Sequence, residues 1–168
     1  MFSLFKKKYS PNRVAEKMYY LCSSDEMIGA SMQFYLKGKS NISIELNTKL
    51  RWHTLILHLF ICDFACFQKY GNSSIKNNIL DEFYKEIIRN LRGQKNDNEI
   101  IKAVISEINA YGKLSKDKNV DEQLTAIGKL YSDSINEPDE RLLLMIAGTG
   151  IYTQFFITIN EWLNKINI

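Results

Sequence analysis

A histidine and two cysteines recur every four residues in the most apolar stretch of the chain: His58, Cys62 and Cys66. In a helix this spacing places all three on one face, and imidazole and thiolate are both zinc ligands. The three positions span about 12 Å of helix rise, however, which is too far for all three to hold one ion. We therefore expect a buried histidine and two reduced, hydrophobic thiols, with a metal site as the less favoured alternative.

Two polar side chains in this apolar stretch need partners. A buried neutral His58 needs an acceptor for its N–H group, and we expect either Thr54, one turn earlier, or a backbone carbonyl. Asp63 would be costly to bury as an ion unless a cation pairs with it. We expect an ion pair with an arginine, and the candidates are Arg51, Arg89, Arg92 and Arg141.

No set of residues for nucleophilic catalysis can be assembled from the sequence. The only histidines, His53 and His58, lie five residues apart without an accompanying serine motif. Paired acidic residues fall at or near predicted helix starts, where they complement the helix dipole. These pairs are Asp25-Glu26, Asp81-Glu82, Asp121-Glu122 and Asp139-Glu140. We therefore predict a protein that is not an enzyme and that uses no cofactor.

Capping signals divide the chain into about seven helices. Ser10-Pro11 predicts the first start, and capping boxes at Ser23 with Glu26 and at Asn96 with Glu99 predict two others. Glycines 38, 71 and 93 are expected to end the second, third and fourth helices. The third helix is predicted from Asn47 to Tyr70, the fourth from Ser74 to Arg92, the sixth from Val120 to Ser134, and the seventh from Pro138 to Lys165.

The third predicted helix is expected to lie at the centre of the molecule. Over Leu55–Phe67 only His58 and Asp63 are strongly polar, a pattern typical of a helix buried on all sides. The 168 residues, 45% of them hydrophobic and 24% charged, are enough for one buried core. We predict an all-α helical bundle in which residues 10–168 form a single domain.

The last helix carries no charged residue over Leu142–Ile159. Glycine, threonine and glutamine dilute this segment, so we favour a core helix over a membrane-spanning one. Gly148 and Gly150 would let a neighbouring helix approach closely, at a cost of about 1 kcal/mol each in helix propensity.

Residues 1–9 form a basic and aromatic N-terminal tip, in which Phe2 and Phe5 precede Lys6, Lys7 and Lys8. Such a tip can rest on an anionic membrane surface, and a solvated terminus is the alternative. The lysines interrupt the apolar positions, so we expect no secretory signal. The net charge of +3 is too small to predict nucleic-acid binding.

Nine tyrosines, nine phenylalanines and two tryptophans are many for a domain of this size. We expect either a core rich in aromatic residues or an exposed aromatic patch that binds a protein. Candidates for such a patch are Phe34, Tyr35, Trp52, Phe155, Phe156 and Trp162, and among them we assign Trp52 to the binding surface.

Several short segments resemble the ubiquinol–cytochrome c chaperone family. They are LRWHTLILHLF (Leu50–Phe60), ILDEFYKEIIRNLR (Ile79–Arg92), AYGKL (Ala110–Leu114), VAEKMYYL (Val14–Leu21) and LTAIGKLY (Leu124–Tyr131). The family shows a leucine-histidine pair in an apolar helix, an acidic-aromatic helix ending in Leu-Arg, and an aromatic-Tyr-Gly-Arg turn. The chain departs from the family after Arg92, where GQKND replaces a Gly-Val-Gly-Asp stretch, and at Lys113, where the family has arginine.

The resemblance implies an assembly factor of respiratory complex III that binds newly made cytochrome b near the membrane, in mitochondria together with a small partner subunit. It implies a location at the cytoplasmic face of a bacterial inner membrane or on the matrix side of the mitochondrial one. His58, Arg92, Tyr111 and Lys113 match motif positions, which makes them candidates for a binding surface or for fold maintenance. We expect an exposed apolar or aromatic groove that shields client helices.

Two other functions are open at this point. The first is a helical adaptor or regulator with a soluble protein partner. The second, less favoured, is a metal-binding bundle that uses His58 with Cys62 or Asp63.

Overall fold

The computed structural model describes residues 8–37, 39, 41–92, 96–114, 119–166 and 168. These residues form seven α-helices and one 3-10 turn and contain no β-strand, which confirms the all-α prediction. The helices are α1 (Pro11–Ser23), α2 (Asp25–Leu36), α3 (Ile44–Tyr70), α4 (Ser74–Leu91), α5 (Asp97–Leu114), α6 (Val120–Ile135) and α7 (Arg141–Asn164), with the 3-10 turn at Pro138–Glu140.

Side-chain oxygens cap most of the helix starts, as the sequence predicts for Ser10. The second cap is wrong by one residue, because Ser24 accepts from the Met27 N–H at 3.3 Å while the Ser23 hydroxyl donates to the Tyr19 carbonyl. The Asn96 capping box is also not as predicted, since this residue has a left-handed φ of 66° instead of the extended backbone of an N-cap.

The loop before α3 is shorter than predicted. Ser43 caps the helix through the Leu46 N–H at 3.1 Å, so α3 begins three residues before Asn47. Gly71 ends α3 with a φ of 56°, as predicted, a backbone conformation that suits glycine. The predicted helix ends at Gly38 and Gly93 lie outside the described residues.

The long helix α3 lies at the centre of the bundle, as predicted. It packs against each of the other six α-helices. Buried hydrophobic side chains from all seven helices join in one connected core. The consequence is that any polar side chain on the middle of α3 must find its partners within the protein or in an opening between the outer helices.

The last helix is buried on one side only. It packs against α6, α3 and α2, and its glycines allow the close approach that the sequence suggests. A Cβ atom on Gly148 would lie 2.7 Å from Tyr131, and one on Gly150 would lie 2.6 Å from Phe34. On the outer side Leu142, Ile146 and Ile157 are exposed; they are 72%, 59% and 48% accessible.

Two of the described helical segments, Ile44–Tyr70 and Pro138–Asn164, are long and apolar enough to cross a membrane by length and composition. The core helix of a soluble protein passes the same test. In the most apolar window of the first segment 61% of the residues are buried inside the protein, against 39% in the second. The burial of α3 agrees with its role as a core helix.

Candidate functional site

An apolar groove opens between α3, α4 and α5. Its volume is about 450 Å³, within the range of about 300–1,000 Å³ that binding pockets usually have. It is lined by Phe60, Asp63, Phe64 and Phe67 of α3, by Lys76 and Leu80 of α4, and by Ile108, Asn109 and Gly112 of α5. The groove is therefore large enough to receive several side chains of a partner.

The groove exists because the two helices beside it pack elsewhere. Helix α4 packs mainly against α1, whereas α5 packs mainly against α3. The two helices therefore make little contact with each other, and the side of α3 between them stays uncovered. Phe60 and Ile108 are each only 3% exposed at the bottom of the groove, whereas Phe67 near its edge is 48% exposed.

Aromatic rings form the base of the groove and continue beneath it. Phe60 stacks on Tyr111 with ring centroids 5.3 Å apart, and on Phe64 at 5.8 Å. Phe64 in turn lies 5.8 Å from Phe156, which stacks on Tyr152 at 5.6 Å. Aromatic pairs at these distances attract one another beyond their buried area, by about 0.5–1.5 kcal/mol each. The aromatic residues that line the groove therefore belong to α3, and their ring contacts continue beneath it to Tyr111 of α5 and Phe156 of α7.

One carboxylate lies in this otherwise apolar groove. Asp63 Oδ2 accepts a hydrogen bond from the Tyr84 hydroxyl of α4 at 2.5 Å. Burial raises the pKa of Asp63, and the Tyr84 hydrogen bond and the nearby Lys76 charge oppose that rise. The same burial, together with the Asp63 charge, raises the pKa of Tyr84. Tyr84 therefore stays protonated at neutral pH and acts as the hydrogen-bond donor.

Lys76 stands at the edge of the groove beside the exposed phenylalanine. Its ammonium nitrogen lies 5.3 Å from the centre of the Phe67 ring, a cation–π contact. The same nitrogen donates to Asn72 Oδ1 at 3.3 Å. Lys76 thus adds a positive charge to the groove, and its ammonium group contacts Asn72 and Phe67.

The predicted arginine partner of Asp63 is wrong. Arg51 pairs with Asp25, Arg89 with Glu86 at 2.6 Å, and Arg141 with Asp133 at 3.1 Å, while Arg92 is exposed. The physical reason is that the Tyr84 hydroxyl of the neighbouring helix donates to the carboxylate, which borders the groove instead of being enclosed on all sides.

His58 faces a different part of the core and is completely buried. Its Nδ1 lies 3.1 Å from the Cys22 carbonyl oxygen, so Nδ1 carries the proton, and Nε2 accepts from the Ser31 hydroxyl at 2.8 Å. The ring also stacks on Phe155 at 3.8 Å between centroids. Burial lowers the pKa of His58 to about 4, so the imidazole is neutral at physiological pH.

The carbonyl alternative for His58 is therefore confirmed and the Thr54 alternative is wrong. The Thr54 hydroxyl bonds instead with the Tyr131 hydroxyl at 2.9 Å. Of the two roles that the resemblance leaves open for His58, its burial favours fold maintenance. The same holds for Tyr111, which is fully buried beneath Phe60.

The remaining predicted binding residues are scattered over the molecule. Arg92 and Lys113 are exposed, and Trp52 is partly buried against the core, but none of the three lines the groove. Among the predicted membrane-surface residues only Lys8 is described, and it is exposed. Phe2, Phe5, Lys6 and Lys7 lie outside the described residues.

The three cysteines are free and buried. Cys22 and Cys62 face each other with their sulfur atoms 3.2 Å apart, and burial raises the pKa of Cys62 and brings that of Cys66 to about 12. Protonated thiols are poor metal ligands and poor nucleophiles. In the described part of the chain no group of three or more His, Cys, Asp or Glu side chains could hold a metal ion.

Sequence reasoning singled out Asp63 and expected an apolar or aromatic groove, but it did not place the groove beside Asp63. Phe60, Asp63, Phe64 and Phe67 recur at i, i+3, i+4 and i+7, one face of a helix. Apart from Asp63, this face is apolar like the other faces of α3, so the hydrophobic pattern alone does not distinguish it. The signal that could have marked it is the acidic residue among phenylalanines, because a carboxylate is rarely placed against solid packing without a cation.

Comparison of the chain with known protein families, with curated proteins and with solved structures finds no match.

Proposed function

We propose that this chain is a non-catalytic, chaperone-like assembly factor that binds a hydrophobic helix of a membrane-protein client in the groove between α3, α4 and α5. The observation that carries the proposal is the connected aromatic base of a groove that is open to solvent. Helix-in-groove recognition uses this arrangement, in which an apolar helix face fills a hydrophobic groove.

The groove is suited to shielding rather than to chemistry. Its two charged side chains already have partners within the protein, since Asp63 accepts from Tyr84 and Lys76 donates to Asn72. Phe64 and Phe67 offer large apolar contact area next to the closed core. A hydrophobic helix seated there would exchange water for aromatic contacts, at about 25 cal/mol per Å² of apolar surface buried.

The identity of the client rests on the family resemblance. We propose cytochrome b of respiratory complex III, bound at the cytoplasmic face of a bacterial inner membrane or on the mitochondrial matrix side. If the host is a mitochondrion, the proposal also includes a small partner subunit that acts together with this chain. The N-terminal tip of residues 1–9 would hold the protein at the lipid surface through its lysines and phenylalanines.

Site-specific crosslinking tests the proposal in the cells that normally make the chain. Asn109 is exposed and lines the groove, so a photo-crosslinking residue at this position should form a light-dependent adduct with cytochrome b. Lys129, exposed on α6 and outside the groove, is the matched control and should give no such adduct.

The two other outcomes contradict the proposal in different ways. An adduct at position 109 with a soluble protein would support the adaptor function instead. Equal yields of cytochrome b adduct at positions 109 and 129 would mean that the client does not use the groove.

Vesicle binding tests the membrane part separately. Replacing Lys6, Lys7 and Lys8 by glutamine should weaken binding to anionic phospholipid vesicles by about 100-fold, because each lysine contributes about 1 kcal/mol. Co-sedimentation at low and high salt measures the effect. Binding that is insensitive to salt and to the three substitutions would exclude the tip as a membrane contact.

A further inference from the structure

The groove contains a carboxylate whose hydrogen-bonding capacity is only half used. Asp63 Oδ2 accepts from Tyr84, whereas Oδ1 accepts no hydrogen bond from any residue that the structure describes. Within the described ranges Asp63 forms no ion pair either. Because Asp63 lines the groove, its free oxygen is available to a side chain that enters from outside.

Lys76 is near enough to influence Asp63 but does not neutralise it by contact. Its charge opposes the rise in the pKa of Asp63, yet its ammonium group lies over Phe67 and bonds to Asn72. The groove therefore contains a cation over Phe67 and an anion beside Tyr84, and these two groups form no ion pair in the described structure.

Filling the groove with a purely apolar helix would remove the water that solvates Asp63. A buried carboxylate without a cation is strongly unfavourable, so Asp63 would have to take up a proton or the helix would bind weakly. A helix that carries a lysine or arginine on its apolar face supplies the missing donor, and a charge-assisted hydrogen bond forms.

We propose that the groove selects apolar helices that carry one cationic side chain, and that Asp63 binds this cation. The inference rests on the proposed function and names the chemistry of the client segment: a lysine or arginine flanked by large apolar residues. The Phe60, Phe64 and Leu80 side chains contact the apolar flanks, and Asp63 lies among them.

Two synthetic helical peptides test the selection. They share one leucine-rich sequence and differ only at the central position, which is lysine in one and norleucine in the other. We expect the unmodified protein to bind the lysine peptide at least about ten-fold more tightly by fluorescence anisotropy, as charge-assisted hydrogen bonds are worth about 1.5–3 kcal/mol. Asp63→Asn, which keeps an acceptor for Tyr84, should remove the preference.

A blocking variant separates failure of this inference from failure of the proposed function. A Cβ atom on Gly112 meets no atom within 4 Å, and Gly112 lines the groove, so Gly112→Phe should fill the groove without disturbing the core. Gly29 on α2 is equally open and lies outside the groove, which makes Gly29→Phe the matched control. We expect Gly112→Phe to weaken both peptides at least about ten-fold and Gly29→Phe to leave both unchanged.

Each outcome decides between the two claims. If both peptides bind the unmodified protein equally and Gly112→Phe blocks both, the groove is a helix site but Asp63 does not select a cation. If Asp63→Asn retains the lysine preference, the inference is also overturned. If neither peptide binds, or if Gly112→Phe has no effect, the proposed function itself fails. Circular dichroism of every variant establishes that it is folded.

Discussion

His58 and Asp63 lie five residues apart on the same central helix, but their surroundings are opposite. His58 is enclosed by α1, α2 and α7, and both of its ring nitrogens have partners within the protein. Asp63 opens into the groove, and one of its oxygens has no described partner. A saturated polar residue stabilises the fold, whereas a half-satisfied one beside an opening marks the surface that a ligand completes.

The largest expected effect on stability comes from replacing His58, whose two ring nitrogens both have hydrogen-bond partners. His58→Leu leaves the Cys22 carbonyl and the Ser31 hydroxyl unpaired in the core and loses the stack on Phe155. We expect the free energy of unfolding to fall by about 2–4 kcal/mol in a urea titration. Asp63→Asn, which retains an acceptor for Tyr84, should change it by less than about 1 kcal/mol. Equal losses of unfolding free energy from the two substitutions would contradict the difference between the side of α3 that carries His58, which is closed, and the side that carries Asp63, which is open to the groove.

The pH dependence of stability should carry opposite signs for the two residues. The pKa of His58 is about 4 in the folded chain and about 6.5 when unfolded. Between these values the unfolded chain takes up a proton that the folded chain does not, so this group lowers the free energy of unfolding as the pH falls. The total loss is about 3 kcal/mol and is complete near pH 4.

Asp63 has the opposite effect on the free energy of unfolding as the pH falls, because burial raises its pKa. From the raised pKa down to its ordinary value, the folded chain binds the extra proton, so this group adds stability as the pH falls. Denaturant titrations at several pH values measure the sum for the whole chain. Comparison with His58→Gln and Asp63→Asn isolates each contribution, and a steeper loss in His58→Gln than in the unmodified chain would reverse the assigned sign.

Two glycines sharpen the comparison at a smaller scale. Gly148 lies against Tyr131 on the closed side, where a Cβ atom would approach to 2.7 Å, whereas Gly112 borders the groove with nothing within 4 Å. Gly148→Ala should therefore lower the free energy of unfolding by about 1–3 kcal/mol through overpacking. Gly112→Ala should raise it by roughly 0.5–1 kcal/mol through helix propensity. Thermal unfolding of the two variants checks both signs, and a stabilising Gly148→Ala would contradict the close packing of α6 and α7.

Local patterns in the sequence were sufficient for the helices and for the central position of α3. The unbroken apolar run around Leu57 and Ile61 requires burial on all sides, and serine caps and glycine stops have short-range causes. The sequence predicts a carbonyl partner for His58 as one of two alternatives. Thr54 was the wrong one because Tyr131, 77 residues away in sequence, takes its hydroxyl.

The position of the groove could not be predicted because it depends on contacts between distant segments. Helix α4 packs mainly on α1 and makes little contact with α5. The residues around Lys76 and Leu80 give no sign of this arrangement in the sequence. The arginine partner assigned to Asp63 failed for the same reason, since Tyr84 reaches it from the neighbouring helix. Sequence reasoning recognised an unusual carboxylate but could not show that the space beside it is open.

A nuclear magnetic resonance titration with the lysine-bearing helical peptide tests the central claim most directly. If the groove is the client site, shifts should concentrate on the amides of Phe64, Phe67, Leu80 and Asn109, while the His58 ring resonances stay unchanged. Shifts concentrated on the outer face of α7, at Leu142, Ile146 and Ile157, or none at all, would contradict it.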